Sequence, residues 1–309
     1  MKKHILVRAA VGALMTMSSL SFAETASVAK TTNGAETVIP QQTFNPQLNA
    51  MLPQDIRDAG VMTAVVNGSF PPYTIVEDSN NIKGAAVDFD KAISELLGIK
   101  IEHKSVSGLS AILMGIKAGR YTYDSGPVGD FPNRQESVDF VDYVQEYVVF
   151  AVKAGNPAQI NGLEDTCGKR ISVMAGGSAK RVIKTQSQKC VEQGQPEVKV
   201  LSYTDQPTSI LAVKSERADA FFSSQAPLSY FVSISNGELE LTATGKANGF
   251  GDLYQGAVVA KGSPLVPVIK ASYEELHRNG TYDAILQKWG LEGNRLEQPG
   301  VNLATSKTQ

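Results

Sequence analysis

Val87-Asp88-Phe89-Asp90-Lys91-Ala92-Ile93-Ser94-Glu95-Leu96-Leu97-Gly98, followed by Ile99-Lys100-Ile101-Glu102-His103-Lys104, decides the fold class. In the first part Phe89, Ala92, Ile93, Leu96 and Leu97 recur at helical spacing and share one face, and Gly98 supplies the stop. The second part reads as a strand. Upstream, Val61-Met62-Thr63-Ala64-Val65-Val66 is a short apolar run with β-branched residues, the pattern of a buried strand. Downstream, residues 110–118 read as a second helix with Ile112, Leu113 and Ile116 inward and Gly119 closing it. Strand, helix, strand, helix at this spacing predicts an α/β sheet with parallel strands. In such sheets ligands bind beyond the carboxyl ends of the strands.

Two segments fall at those ends. Asn67-Gly68-Ser69-Phe70-Pro71-Pro72-Tyr73 reads as a loop by its Gly and Pro content. Tyr123-Asp124-Ser125-Gly126-Pro127-Val128-Gly129-Asp130-Phe131-Pro132-Asn133-Arg134 reads as a second loop of small residues ending at one arginine. Small residues let a backbone approach a ligand and leave N–H groups free. The guanidinium of Arg134 is a planar fork that grips a carboxylate with two hydrogen bonds. An ordinary surface arginine after a Pro-Asn turn is the competing reading.

Further along, residues 147–152 form an apolar run that leaves one domain for another. The strand Ile171-Ser172-Val173-Met174 runs into Ala175-Gly176-Gly177-Ser178 and a helix. A Gly-rich strand-to-helix turn presents free N–H groups to an anion. The Gly-Lys-Ser/Thr ending of a nucleotide P-loop is absent, and a tight turn without a ligand stays open as a reading. Strand, helix and strand follow at 198–201, 207–214 and 218–222, ending at Ser223-Ser224-Gln225. Residues 239–242 and 253–260 read as strands, the second returning the chain to the first domain, and residues 265–278 and 282–289 as closing helices. Lobe one is therefore expected at 50–149 with 254–292, lobe two at 150–253, a flexible leader at 24–49 and a loose tail at 293–309.

The 309 residues are 42% hydrophobic and 19% charged, which suits about two globular domains. Lys and Arg number 29 against 31 Asp and Glu, with no basic stripe, so nucleic acid is not an expected partner. Residues 1–23 read as a cleavable signal peptide: Lys2, Lys3 and Arg8 open it, an apolar run follows, and Ser21-Phe22-Ala23 places small residues at the cut. Removing it takes the formal net charge from −2 to −5, since it carries three positive and no negative residues. The apolar run is too short for a membrane span. Cys167 and Cys190 both lie beyond it, and an even count in an exported protein favours a disulfide over two free thiols or a catalytic cysteine. His4, His103 and His277 read as solvated rather than catalytic, and no metal-ligand cluster, cofactor motif or Ser-His-Asp spacing stands out. Asp124 and Asp130 are the best acid candidates.

Several motifs, in order, carry a resemblance: Phe70-Pro71-Pro72-Tyr73; Gly84 with Val87 to Gly98; Gly119-Arg120-Tyr121, Arg134 and Val138-Asp139-Phe140; Gly168 to Val173; Arg217-Ala218-Asp219-Ala220; and Asn279-Gly280-Thr281-Tyr282 with Lys288-Trp289. Over roughly residues 55–292 the chain resembles the periplasmic solute-binding proteins of polar amino-acid ABC transporters, family 3 type. The resemblance implies two α/β lobes joined by two crossing strands, a ligand cleft between them, hinge closure and delivery to membrane transporter subunits. It implies Arg134 on the ligand's carboxylate, backbone contacts from Gly126, Pro127 and Gly129, a side-chain pocket lined by Phe70 and Asn67, and donors at Gly177 and Ser178. It also marks departures. Ser224 stands where an aspartate holds the ligand's ammonium, Gly129 where a threonine is usual, Asn67 where an acid is common, and Pro127 has no N–H. The expected ligand is an amino acid or related small carboxylate, and a monomer is expected. A dehydratase-like enzyme on the same scaffold and a binding subunit serving a receptor are the alternatives.

Overall fold

The Val61–Val66 strand sits inside a sheet whose order explains most of the chain. The computed structural model describes residues 38–78 and 81–304, so the signal segment 1–23 and most of the leader lie outside the described residues. The first sheet runs Arg295–Val301, Val138–Glu146, Leu253–Ala260, Tyr123–Gly129, Val61–Val66, Lys100–Ser105. Val61–Val66 pairs in parallel with both its neighbours, as the strand–helix alternation predicts. The other three pairings are antiparallel, so the sheet is mixed. The Gly126–Gly129 segment is part of a strand rather than a loop, because Leu253–Ala260 lends it a partner from far along the chain.

Helix Ala85–Leu97 covers this sheet with the predicted face: Phe89, Ala92, Ile93, Leu96 and Leu97 are buried. It meets Leu265–Arg278 and Thr281–Trp289 around an aromatic cluster. Phe89 lies 5.3 Å from Tyr143, and Tyr143 stacks on Tyr273 at 4.6 Å. Rings of this size dominate core energetics through the apolar area they bury.

The second sheet runs Lys199–Tyr203, Arg170–Met174, Ala220–Ser224, Val148–Lys153, Leu239–Thr242. Arg170–Met174 is parallel to both its neighbours. Phe150 and Phe222 pack at 4.5 Å in its core. The Cys167–Cys190 disulfide ties the segment before this sheet to helix Ser178–Glu192, with the Cα atoms 5.6 Å apart. The chain crosses between sheets twice. Only Tyr147 separates Val138–Glu146 from Val148–Lys153, and the return strand places Leu253 opposite Glu146. Two α/β lobes with a double crossover result.

Two expectations at the termini need correction. The tail is ordered to Ala304: Arg295–Val301 pairs with Val138–Glu146, and buried carboxylates take the backbone N–H groups that follow. Asp142 accepts from Leu303 N at 3.0 Å and Asp130 from Ala304 N at 2.9 Å. Its ties are to distant acids, so its own sequence carries no periodic signal. The leader is also ordered from residue 38. Asn45 caps a short helix, Pro46–Ala50, and its N–H donates to the Leu96 carbonyl at 2.8 Å. Among the described residues no helix is long and apolar enough to cross a membrane.

Candidate ligand-binding site

A cavity between the lobes holds about 730 Å³ of space outside protein atoms, part of it open to solvent. All nine residues singled out from the sequence line it: Asn67, Phe70, Gly126, Pro127, Gly129 and Arg134 from lobe one, Gly177, Ser178 and Ser224 from lobe two. Their convergence follows from topology. Asn67, Ser178 and Ser224 each sit at the carboxyl end of a strand or just past it, where an α/β sheet opens to ligands.

Arg134 lies on the short helix Pro132–Gln135. Its Nη1 donates to the Gly129 carbonyl at 2.7 Å and its Nη2 reaches the Gly176 carbonyl of lobe two at 3.3 Å. The guanidinium stacks 4.9 Å from the centre of the Phe131 ring, which Arg181 of lobe two also approaches, at 5.7 Å. Carbonyl oxygens are its hydrogen-bond acceptors, so its charge is not neutralised there. Burial and the neighbouring Arg181 push its pKa down to about 10, with Asp130 pulling the other way. An anion arriving in the cavity therefore meets an uncompensated guanidinium.

The side of lobe one is tightly held. Tyr143 Oη donates to the Ser125 carbonyl at 3.0 Å, and Asp124 Oδ1 accepts from Gly126 N at 2.9 Å. Gly126 has φ +73°, and a Cβ there would lie 2.3 Å from the Gly256 carbonyl oxygen, so only glycine fits. On lobe two, Gly177 caps helix Ser178–Glu192 with no side-chain hydrogen bond, leaving first-turn N–H groups unclaimed by a cap.

Among the other lining residues, which the sequence did not single out as ligand contacts, are Asp124, Gln206 and Gln255. Each has a buried polar atom without a hydrogen-bond partner: Asp124 Oδ2, Gln206 Nε2 and Gln255 Oε1. Their other ends are held. Ser223 Oγ bonds to Gln206 Oε1 at 3.2 Å, and Gln255 Nε2 donates to Ser224 Oγ at 3.5 Å. A buried polar atom without a partner is costly, and all three belong to residues lining this one cavity, which makes them candidate partners for a ligand's polar groups. Gln206 was within reach of sequence reasoning, since it follows the Lys199–Tyr203 strand into a helix. Gln255 was not, since it lies in an antiparallel strand from a distant part of the chain.

Other acid and histidine expectations change. Asp130 points away from this role: Gln135 donates to it at 2.7 Å and Ala304 at 2.9 Å, and it does not line the cavity. His103 is bonded to Asp90 at 2.7 Å rather than solvated, and His277 is half-buried against Tyr282, with ring centres 3.6 Å apart. Among the described residues no group of His, Cys, Asp or Glu is arranged to hold a metal ion.

The profile of the bacterial extracellular solute-binding proteins, family 3, matches residues 62–292. The chain belongs to this family. This family 3 protein is 27% identical over 303 residues to the arginine-binding protein ArgT of Corynebacterium glutamicum, covering 96% of this chain and 95% of ArgT. It is 24% identical over 236 residues to the L-cystine-binding protein TcyJ of Escherichia coli K12, covering 76% and 84% of the two chains. An ancestral arginine-binding protein solved with bound arginine superimposes with a TM-score of 0.66 at 27% identity, covering 74% of this chain and 98% of that one.

Proposed function

We propose that the protein is the periplasmic substrate-binding component of an ABC importer, holding an amino acid or related small carboxylate between its lobes. It works as a monomer exported by its signal segment, and closure of the lobes is what the membrane subunits read. The observation that carries this is Arg134. An unneutralised guanidinium in the cavity wall, reaching carbonyls on both lobes, suits a carboxylate that bridges the two. The family and its arginine- and cystine-binding relatives support the same class of ligand.

Among the described residues, the ionisable side chains lining the cavity are Asp124 and Arg134. Calorimetric titration of protein stripped of ligand by unfolding and refolding, against the standard amino acids and amine-blocked or amine-free small carboxylates, tests the reading. A micromolar or tighter hit, lost in Arg134→Ala, is expected. A folded sample that binds neither an amino acid nor a related small carboxylate sinks it.

A further inference from the structure

We propose that Asp124 is the counter-ion for a cationic nitrogen at the far end of the ligand, so that the solute is an amino acid with a distal ammonium or guanidinium on its side chain. This rests on the reading of the cavity as an amino-acid site and names the class of ligand within it.

The cavity has two ionisable lining residues of opposite sign, and they sit apart. Arg134 is fastened to the Gly129 carbonyl. Asp124 is near the other end of the same Tyr123–Gly129 strand. On the partner strand Gly129 faces Gln255 and Asp124 faces Val258, three residues further on. At strand rise that is roughly 10 Å. The ammonium of an α-amino acid is only one carbon removed from its own carboxylate, so a carboxylate on Arg134 cannot place that ammonium on Asp124. Gln255, paired with Gly129 and with Oε1 free, together with Ser224 Oγ, provides neutral acceptors at the Arg134 end instead. The acid missing at Ser224 is thus answered by amide and hydroxyl oxygens for the α-nitrogen, and by Asp124 for a second, distant cation.

Asp124 is equipped for that role. It is 1% exposed, Oδ1 is held by Gly126 N–H, and Oδ2 has no partner. Val65 and Val258 flank it on the neighbouring strands. The titratable groups around it bring no positive charge to it: Asp90, on helix Ala85–Leu97, is occupied by Tyr123, Ser125 and His103, and Tyr143 donates to the Ser125 carbonyl. Arg134, the cavity's cation, is engaged at the other end. Burial and the nearby Asp90 raise the Asp124 pKa to about 7, the Gly126 N–H opposing them. A ligand cation beside it stabilises the carboxylate, so binding near pH 7 drives off a proton, and affinity for such a ligand rises as pH passes upward through that value.

The test compares L-arginine with L-citrulline, which has a neutral ureido group where arginine has guanidinium. Calorimetry is run on wild type and Asp124→Asn at several pH values, in buffers of different ionisation enthalpy. Wild type is expected to prefer arginine by roughly 30-fold or more, to release protons on binding it at pH 7, and to bind it more tightly at pH 8 than at pH 6. In Asp124→Asn the preference for arginine over citrulline and the proton release should both vanish. The wild-type comparison needs no variant, so a poorly folding mutant does not shelter the proposal. Equal affinity for the two ligands, or binding confined to neutral amino acids with Arg134 still required, overturns the role of Asp124 and leaves the proposed function standing. No binding of any amino acid or related small carboxylate overturns both.

Discussion

The two glycine-bearing walls of the cavity are built differently. In lobe one, residues 125–130 are held at several points: Ser125 by Tyr143 and Asp90, Gly126 by Asp124, Asp130 by Gln135 and Ala304. In lobe two the turn before Ser178 has few ties: Ala175 N to the Tyr203 carbonyl at 2.7 Å, Gly177 N to the Met174 carbonyl at 3.3 Å, Arg134 Nη2 to the Gly176 carbonyl at 3.3 Å, and no side-chain cap on the helix. The difference teaches a division of labour. Lobe one holds the charged groups in fixed places, so little ordering is needed there when ligand arrives. Under the proposed function, lobe two offers backbone donors at a helix end that complete the contacts when the lobes meet around a ligand.

The largest effect that sharpens this contrast is at the charges. Arg134→Ala should weaken amino-acid binding by about 2–5 kcal/mol, whereas Ser178→Ala on the opposite wall should lose only about 0.5–1.5 kcal/mol. Calorimetry on both variants decides it, and equal losses would break the proposed asymmetry.

Next is the brace of lobe two. Replacing both Cys167 and Cys190 by serine opens a loop with sequence separation 23 and should destabilise that lobe by about 3 kcal/mol. Trp289 reports lobe one, where its Nε1 donates to Asp88 at 2.7 Å. Far-UV circular dichroism should therefore begin its denaturant transition before Trp289 fluorescence does. Coincident shifts of the two signals would mean that the lobes unfold as one.

Between the walls, Glu146 stands at the crossover. It is 1% exposed, and its Oε1 accepts from Tyr147 N at 2.9 Å, Asn294 Nδ2 at 3.0 Å and Ala226 N at 3.4 Å, joining both lobes and the C-terminal segment. Burial raises its pKa from 4.5 to about 7 despite these donors. The folded state thus keeps a proton that the unfolded chain has already lost. Its contribution to stability is full below pH 4.5 and disappears as pH rises to about 7, by up to about 3 kcal/mol. Glu146→Gln should flatten that part of the stability–pH curve, measured by urea unfolding at a series of pH values. A slope identical to wild type would remove Glu146 as its source.

The smallest effect separates the glycines themselves. Gly126→Ala meets both a positive φ and the Gly256 carbonyl and should cost about 1–2 kcal/mol of stability. At Gly177, φ is −78° and the nearest atom to an added Cβ is 3.3 Å away, so Gly177→Ala should stay within about 0.5 kcal/mol. Similar unfolding midpoints for the two would argue that both walls are equally held.

What was legible in the chain follows the range of each interaction. Helix Ala85–Leu97 and its Gly98 stop were plain because a 3.6-residue pattern is local. Arg134 stood out because a lone arginine after a run of small residues is a local pattern too. The ordered tail was hidden, since Asp130, Asp139 and Asp142 hold it from more than 150 residues away, as with the Asn302–Asp139 hydrogen bond at 2.9 Å. His103 looked like a solvated residue on an edge strand, and only the packing of helix Ala85–Leu97 brought Asp90 to it.

By itself the sequence determined the strand–helix alternation of both lobes, though not the strand Tyr123–Gly129 or the helix Gln225–Ser233, together with the disulfide pair, the family resemblance and Arg134 as the candidate for a carboxylate, because each rests on periodicity, residue count or motif order along the chain. The tertiary structure alone decided which polar atoms were left without partners in the cavity. Whether Asp124, Gln206 and Gln255 are satisfied depends on groups brought to them from other strands and helices, and partnership across the fold is a property of three-dimensional packing that no local pattern encodes.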